Sequence, residues 1–195
     1  MKTRIILGSS SPYRRELFSR FKLPFEVIAA GIDELRHDDE SPEMMVKRLA
    51  IEKAEAVMRE NQIESGLIIG SDQTADLDGK LLGKPRDHAH AVEQLQACSG
   101  RQVTLYTALA VLNTQTGSLQ YDVIPYWVEF RSLECATIER YLQAEQPYNC
   151  CGSLKVEGMG IALLKKLSGD DPTAIIGLPL IRLSEMLANE GVVIV

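Results

Sequence analysis

A short stretch near the N-terminus combines residue types that bind phosphate. The sequence "GSSSPYRR", residues 8–15, directly follows an apolar run. A strand that ended here and opened a helix would leave backbone N–H groups unpaired, and the helix dipole would add positive charge. Such a helix start binds phosphate, and Arg14 and Arg15 would bring further donors. The alternative is an ordinary Ser-Pro helix cap followed by two solvated arginines, and the stretch alone leaves both open.

Carboxylates and a lysine form a second candidate group. Asp72 follows the apolar run 67–70, and we expect it at a strand end, where ligands of α/β proteins gather. Lys84 stands in Gly-Lys-Pro, beyond a predicted Asp-Gly hairpin turn at 78–79, and Glu34 with Asp33 offers another carboxylate pair. Hard oxygen ligands suit Mg²⁺ or Mn²⁺. These residues therefore suit metal-assisted phosphate chemistry.

Lys53 interrupts an apolar stripe. The pattern of residues 42–60 predicts a helix, and Lys53 lies four residues after Leu49 and four before Val57 on its apolar side. A lysine on a core face either extends its ammonium group to water or meets an anion. The pattern alone does not decide between these alternatives.

A glycine-rich segment lies late in the chain. The sequence "NCCGSLKVEGMGI", residues 149–161, carries Lys155 and Glu157 among three glycines. Glycines allow a backbone to approach a ligand closely, but they also form ordinary turns. Both interpretations stay open for this segment.

The elements that must position these residues alternate between strands and helices. Strands are predicted at residues 4–8, 25–29, 67–70, 102–113 and 118–130, the last two as an antiparallel hairpin that turns through residues 114–117. Helices are predicted from Pro12, over residues 42–61, from an Asp87 cap to Gly100, and over residues 132–146 and 179–189. The class is therefore α/β or α+β with a mixed sheet, because a long hairpin is incompatible with a uniformly parallel one.

Composition limits the functional classes. The 195 residues contain 21 Lys+Arg and 27 Asp+Glu, a net charge of −6, which argues against broad binding to nucleic acid. No apolar run approaches the roughly 20 residues that a membrane span needs, and the N-terminus does not resemble a secretory signal. The four cysteines show no CxxC spacing, so we expect reduced thiols in a cytoplasmic protein rather than a zinc site.

Taken together, these segments resemble the Maf family of nucleoside triphosphate pyrophosphatases. The matching segments, in family order, are "LGSSSPYRREL", "IDE", "RLAIEKA", "IIGSDQ", "LGKP", "SGRQVTLYTALAV", "VEFRSL", "GSLKVEGMGI" and "DPTAIIGLPL". Each segment alone is a weak signal. Their ordered set is specific and covers nearly the whole chain.

The resemblance implies a fold, a reaction and a set of roles. It implies one domain over residues 1–195 with a two-lobed Maf/Ham1-like fold: a mixed twisted sheet, flanking helices and a cleft between the lobes. It implies hydrolysis of a nucleoside triphosphate to the monophosphate and pyrophosphate with Mg²⁺ or Mn²⁺, often by a homodimer. The matched positions give Asp72 as general base, Glu34 and Asp72 as metal contacts, and Ser9, Ser11, Arg14, Arg15, Lys53 and Lys84 as phosphate-binding residues.

Three positions resemble one branch of that family. The branch that acts on thymidine and uridine nucleotides usually has other residues at Tyr13, Gln73 and Glu157, whereas these three are similar to the branch that hydrolyses 7-methyl-GTP. The prediction is therefore a 7-methyl-GTP pyrophosphatase whose specificity depends on these three residues. The alternatives are a dTTP or UTP pyrophosphatase of the same family, and a non-catalytic nucleotide sensor that inhibits septum formation.

Overall fold

The computed structural model describes residues 3–195, so the first two residues of the predicted domain lie outside the described part. The strands are β1 (Ile5–Leu7), β2 (Glu26–Val27), β3 (Leu67–Leu77), β4 (Lys80–Leu82), β5 (Gln102–Asn113), β6 (Leu119–Phe130) and β7 (Leu164–Ser168). The helices are α1 (Pro12–Ser19), α2 (Pro42–Glu60), α3 (His88–Cys98), α4 (Cys135–Glu145) and α5 (Leu180–Asn189), together with short 3₁₀ turns. No helix within residues 3–195 is long and apolar enough to cross a membrane.

The described strands form one mixed sheet in the order β2-β1-β3-β5-β6-β7, and β4 pairs with β3. β1 runs parallel to both β2 and β3, whereas β4 is antiparallel to β3 and β7 is antiparallel to β6. The predicted α/β class with a mixed sheet is confirmed.

The chain divides into two compact units. The first contains the described part of Met1–Asp72 with Thr107–Ile124 and Asp171–Val195, and the second contains Gln73–Tyr106 and Pro125–Asp170. The division falls within β3, β5 and β6, so each of these strands contributes to both units. The prediction of a single domain with two lobes around one cleft stays a prediction.

In the first unit, strand alternation divides the core between the two faces of the sheet. Ile5 and Leu7 pack with α1 and α5, in a cluster that includes Phe18 and Leu183. Ile6 on β1 packs instead in a second cluster, which includes residues of α2 such as Ala54 and Val57. The strands of this unit that lead to the candidate residues are therefore packed by helices on both faces of the sheet.

Helix α2 approaches the sheet so closely that β3 needs a glycine. A side chain on Gly70 would place its Cβ 2.0 Å from the backbone oxygen of Ala50. This backbone-to-backbone packing brings the middle of α2 against β3. It thereby sets Lys53 opposite the residues that follow Gly70.

The predicted end of β3 is wrong. The apolar run was expected to end at residues 70–71, but the strand continues to Leu77, so Asp72 lies within it. The parallel pairing of β3 with β1 runs from Leu67 to Ile69, and the antiparallel pairing with β4 begins at Ala75. Asp72 therefore still lies beyond the carboxyl end of β1. The strand can continue through this polar residue because its carboxylate has a partner.

Other predicted boundaries shift by a few residues. The helix expected from residue 132 begins at Cys135, because Leu133 donates its N–H to the Ser99 hydroxyl and the chain stays extended until Glu134. Strands β4 and β7 were not predicted, although the Asp-Gly turn at residues 78–79 that precedes β4 was. The remaining predicted helices and strands are present, with ends within about two residues of the predicted ones.

Candidate active site

The serines at the start of α1 satisfy its first backbone N–H groups. Ser11 is the N-cap, and its hydroxyl accepts from Arg14 N at 3.4 Å. The Ser9 hydroxyl accepts from Ser11 N at 3.2 Å, and Ser9 is buried. The predicted Ser-Pro helix cap is therefore present, but only Arg15 of the two arginines is solvated. The role of Ser9 and Ser11 in binding phosphate stays a prediction.

Arg14 links three segments that are far apart in sequence. Its Nε donates to the Gly177 carbonyl at 2.7 Å, and its Nη1 donates to the Ser71 carbonyl at 2.9 Å and to the Ser9 hydroxyl at 3.3 Å. The buried Ser71 hydroxyl donates to the same Gly177 carbonyl at 3.0 Å. Arg14 thus fixes the backbone immediately before Asp72, a role not predicted from the sequence.

Arg15 lies on a different side of α1 from these contacts. It is exposed and lines a shallow depression with Pro12, Glu16, Ser19, Phe25 and Val27. Within residues 3–195 its guanidinium makes no hydrogen bond or ion pair, so it is available to an anion. Tyr13, one position before Arg14, is half-buried.

Lys53 brings two predicted acidic residues together. Its Nζ lies 2.6 Å from Asp72 Oδ1 and 2.7 Å from Glu34 Oε1. The side chains of Lys53 and Asp72 are 9% and 10% exposed, whereas that of Glu34 is 60% exposed. The lysine in the apolar stripe therefore meets anions rather than extending to water. The cluster has an excess of one negative charge and opens to solvent on the Glu34 side.

The acidic cluster has the donor chemistry of a magnesium site with few protein ligands. Two carboxylates reach the same ammonium, so their oxygens lie within a few ångströms of one point. Mg²⁺ is commonly held by one or two carboxylates, with water and substrate phosphates completing the shell. No group of three or more His, Cys, Asp or Glu residues within residues 3–195 could hold a metal ion by itself. Glu34 and Asp72 would therefore supply two of the ligands of such a cation, with water or substrate oxygens supplying the others.

Three predicted residues belong to the second unit, and two of them lie beside one 3₁₀ turn, Cys151–Ser153. The Gln73 carbonyl accepts from the Cys151 thiol at 3.5 Å. Lys84 is exposed and follows Gly83, whose carbonyl accepts from Gly152 N at 3.2 Å. Glu157 is exposed in the turn that follows this 3₁₀ segment. The glycine-rich segment therefore organises the surroundings of these residues.

The comparison with a family model decides the family. A model described as "Maf-like protein" matches residues 4–190. This protein belongs to the Maf family.

Several curated Maf relatives are similar over nearly their whole length. A protein of Pseudomonas syringae pv. syringae, named 7-methyl-GTP pyrophosphatase, is 53% identical over 96% of this chain and 97% of its own. A relative with the same name in Albidiferax ferrireducens is 50% identical over 98% of this chain and 96% of its own. Another in Methylobacillus flagellatus is 53% identical over 96% of this chain and 97% of its own. The solved Ham1 protein of Staphylococcus aureus is only 14% identical and aligns over 67% of this chain and 73% of its own with a TM-score of 0.48, too distant a likeness to support an argument.

Proposed function

We propose that this Maf protein hydrolyses 7-methyl-GTP to 7-methyl-GMP and pyrophosphate, with Mg²⁺ or Mn²⁺ as cofactor. The reaction is supported by the names of relatives at about 50% identity. The structural observation that carries the proposal is the cluster in which Lys53 contacts both Asp72 and Glu34. It combines a base, a cation and a pair of oxygen ligands within one small region.

In this proposal Asp72 is the general base. Its carboxylate takes a proton from a water molecule, the water oxygen adds to phosphorus, and the α–β phosphoanhydride linkage breaks to release pyrophosphate. Lys53 orients the Asp72 carboxylate through Oδ1 and supplies positive charge to the phosphates. Such fixed charge favours a transition state in which negative charge increases on oxygen.

The phosphates would meet several further donors. Ser9, Ser11, Arg14, Arg15 and Lys84 are proposed to hold them, and among these Arg15 and Lys84 are exposed cations with no ion pair in residues 3–195. Glu34 and Asp72 would hold the divalent cation, which supplies neutralising charge to the triphosphate when bound. The excess negative charge of the cluster favours binding of this cation. The bound cation would in turn reduce the repulsion between the cluster and the negatively charged triphosphate.

The nucleobase of the substrate would be selected by its positive charge. 7-Methylguanine carries a delocalised positive charge, which an aromatic face attracts by about 0.5–2 kcal/mol. We propose that Tyr13 supplies that face, that Glu157 accepts from the N–H groups of the guanine edge, and that Gln73 next to the general base contributes to the choice. A hydrogen bond to a charged acceptor contributes roughly 1.5–3 kcal/mol.

A release assay for pyrophosphate tests the function. Wild-type protein with Mg²⁺ or Mn²⁺ should hydrolyse 7-methyl-GTP faster than GTP, dTTP or UTP, and chelation of the metal should abolish the reaction. Asp72→Asn should lower the rate at least about 100-fold, since general bases contribute roughly 10²–10⁴. The matched control is Asp122→Asn, because Asp122 is paired with Arg182 and lies outside the cluster.

Two outcomes would redirect the proposal. Preference for dTTP or UTP would assign the protein to the other branch, and hydrolysis of no triphosphate would favour a non-catalytic sensor. Near wild-type activity in Asp72→Asn would remove Asp72 as the base.

We also propose that the protein acts in the cytoplasm, as a homodimer, on a small nucleotide rather than on nucleic acid or at a membrane. Its four cysteines are all free, which suits a reducing compartment. Light scattering of the purified protein measures its oligomeric state directly.

A further inference from the structure

The loop that carries Glu157 is attached to α4 at both of its ends. At the first end, the Tyr141 hydroxyl donates to the Ser153 carbonyl at 3.1 Å and accepts from Lys155 N at 2.9 Å. Tyr141 is 3% exposed. A buried phenol that makes both bonds fixes the backbone at the point where the loop begins.

Glu145 holds the loop on both sides of Glu157. Its Oε1 lies 2.5 Å from Lys155 Nζ, two residues before Glu157. Its Oε2 accepts from Met159 N at 2.7 Å, two residues after Glu157. The Lys155 ammonium, and then the Met159 N–H, lower the pKa of Glu145, which keeps the carboxylate ionised and both bonds charge-assisted.

The backbone beside Glu157 is built to admit the Glu145 carboxylate. A side chain on Gly158 would place its Cβ 2.5–2.9 Å from three atoms of that carboxylate group. A Cβ at residue 158 would therefore displace the Glu145 carboxylate from its present contact with Met159 N. The side chain of Glu145 is 12% exposed, so it is committed to this contact rather than to solvent.

The side chain of Glu157 is exposed and makes no hydrogen bond within residues 3–195. A carboxylate that must accept two N–H groups of a guanine edge needs a fixed position, because hydrogen bonds weaken steeply when the angle or distance is poor. The position must therefore come from the residues that hold the loop.

We propose that Glu145 is a positioning residue for base selection: by bridging Lys155 and Met159 it fixes the loop that presents Glu157 to the methylated guanine. This inference rests on the proposed function, because it assumes that Glu157 accepts from 7-methylguanine. It assigns to α4 a part in specificity although Glu145 does not contact the substrate.

The test compares kcat/KM for 7-methyl-GTP with kcat/KM for GTP. Glu157→Gln should lower this ratio about 10-fold, equivalent to about 1.4 kcal/mol at 25 °C. Glu145→Ala should lower it threefold or more, mainly through the methylated substrate. Glu145→Gln keeps an acceptor for Met159 N but loses the ion pair, so its ratio should fall between those of wild type and Glu145→Ala.

Three further variants separate positioning from general damage. Gly158→Ala, with Glu145 intact, should lower the ratio in the same way because it displaces the same contact. Glu145→Ala added to Glu157→Gln should leave the ratio where Glu157→Gln alone puts it, since both act through one carboxylate. Glu129→Gln is the matched control, because Glu129 forms an ion pair with Lys165 in the same unit and does not touch the loop.

The outcomes distinguish this inference from the function on which it rests. If Glu157→Gln lowers the ratio and both Glu145→Ala and Gly158→Ala leave it unchanged, the positioning role is overturned and the proposed function stands. If both substrates lose activity equally in Glu145→Ala and Gly158→Ala, the contact is only structural and the inference again fails. If wild-type protein does not hydrolyse 7-methyl-GTP, the proposed function fails, and the inference fails with it.

Discussion

Lys53 shows how a charged residue becomes part of a helix core face. Its ammonium is nearly buried in α2 and is tolerated because Asp72 and Glu34 both contact it. An ion pair of this kind contributes little net stability when intact, but the loss of one partner is costly because the other charge remains buried. The same geometry makes the residue suitable for catalysis, because a fixed cation next to a base requires no rearrangement during the reaction.

Lys53→Met should therefore affect both properties. Methionine preserves most of the volume, but Asp72 loses its hydrogen-bond donor, and we expect a loss of roughly 1–3 kcal/mol in unfolding free energy. Hydrolysis should fall by about 10²-fold or more, as when one transition-state donor is removed. Urea unfolding and steady-state kinetics measure the two effects.

Lys47→Met is the control, since Lys47 lies on the same helix with its ammonium 4.0 Å from the centroid of the Tyr121 ring. It should change unfolding free energy by less than about 1 kcal/mol and leave kcat unchanged. Wild-type kinetics in Lys53→Met would show that the lysine serves the fold alone.

At the residue scale the sequence indicated which side chains to examine but not all of their partners. The positions of Lys53 in an apolar stripe, of Asp72 after an apolar run and of Glu34 in a carboxylate pair were visible in the sequence, and the family resemblance supplied the roles of Asp72 and Glu34. The contacts of Arg14 were not predictable, because two of its acceptors are backbone carbonyls 57 and 163 residues away. Every residue carries a backbone carbonyl, so the residue type does not show which carbonyl accepts a hydrogen bond.

At the scale of elements, the segment between β7 and α5 supports the candidate site through hydrogen bonds. Asp171 is 3% exposed and accepts from Thr173 N at 2.9 Å and Ile181 N at 2.7 Å, which closes the segment into a compact loop. The Gly177 carbonyl of this loop receives both Arg14 and the Ser71 hydroxyl. The loop therefore supports the residue immediately before the proposed base.

Ser71→Ala tests whether this support matters for catalysis. Ser71 is fully buried and carries no charge, so its removal weakens the attachment of Gly177 without removing a cation from the phosphates. We expect a loss of about 1 kcal/mol in unfolding free energy, and a kcat reduced severalfold with little change in KM. The measurement is steady-state kinetics on the preferred triphosphate.

The control for this substitution is Ser184→Ala. The Ser184 hydroxyl also donates to a backbone carbonyl, that of Ile181, but on the surface of α5. If Ser71→Ala and Ser184→Ala have equal kinetics, the loop does not support the base through Ser71.

The wrong end of β3 and the missed strand β7 have different physical causes. β3 was expected to stop at its first polar residues, yet it continues to Leu77. The Asp72 carboxylate accepts a hydrogen bond from Lys53 of α2, a contact that the local sequence pattern does not show. β7 has two adjacent lysines where alternation would place one, and both are exposed on a strand at the edge of the described sheet. Tertiary partners and edge exposure thus override the periodicity that predicts strands.

At the scale of the whole molecule, the Arg48–Glu40 ion pair joins a long irregular segment to α2, in addition to the Lys53–Glu34 pair. The segment from Gly31 to Glu40 has no regular structure and carries Glu34. Arg48 donates to the Glu40 carboxylate at 2.5 and 2.8 Å and to the Leu35 carbonyl at 2.9 Å. The anchor therefore lies next to the residue proposed to hold a cation, and its stability determines how the segment is held.

This anchor makes stability depend on acidity. Hydrogen bonding to the Arg48 guanidinium lowers the pKa of Glu40 from 4.5 to about 2. Because the pKa in the folded state lies below the ordinary one, the ionised carboxylate stabilises the fold fully above about pH 4.5. That contribution decreases as the pH falls from about 4.5 towards 2.

Glu40→Gln should reproduce the loss of this anchor at neutral pH. We expect its unfolding free energy to be lower than that of wild type by roughly 1–3 kcal/mol at pH 7, with the difference shrinking at pH 4 and further at pH 3. Urea unfolding of both proteins at pH 7, 5, 4 and 3 measures the difference. Glu52→Gln is the control, because Glu52 also pairs with Arg48 but is 40% exposed, and its effect should be smaller. A difference between wild type and Glu40→Gln that stays constant from pH 7 to pH 3 would contradict the assignment, since a charge-independent packing defect has no reason to disappear in acid.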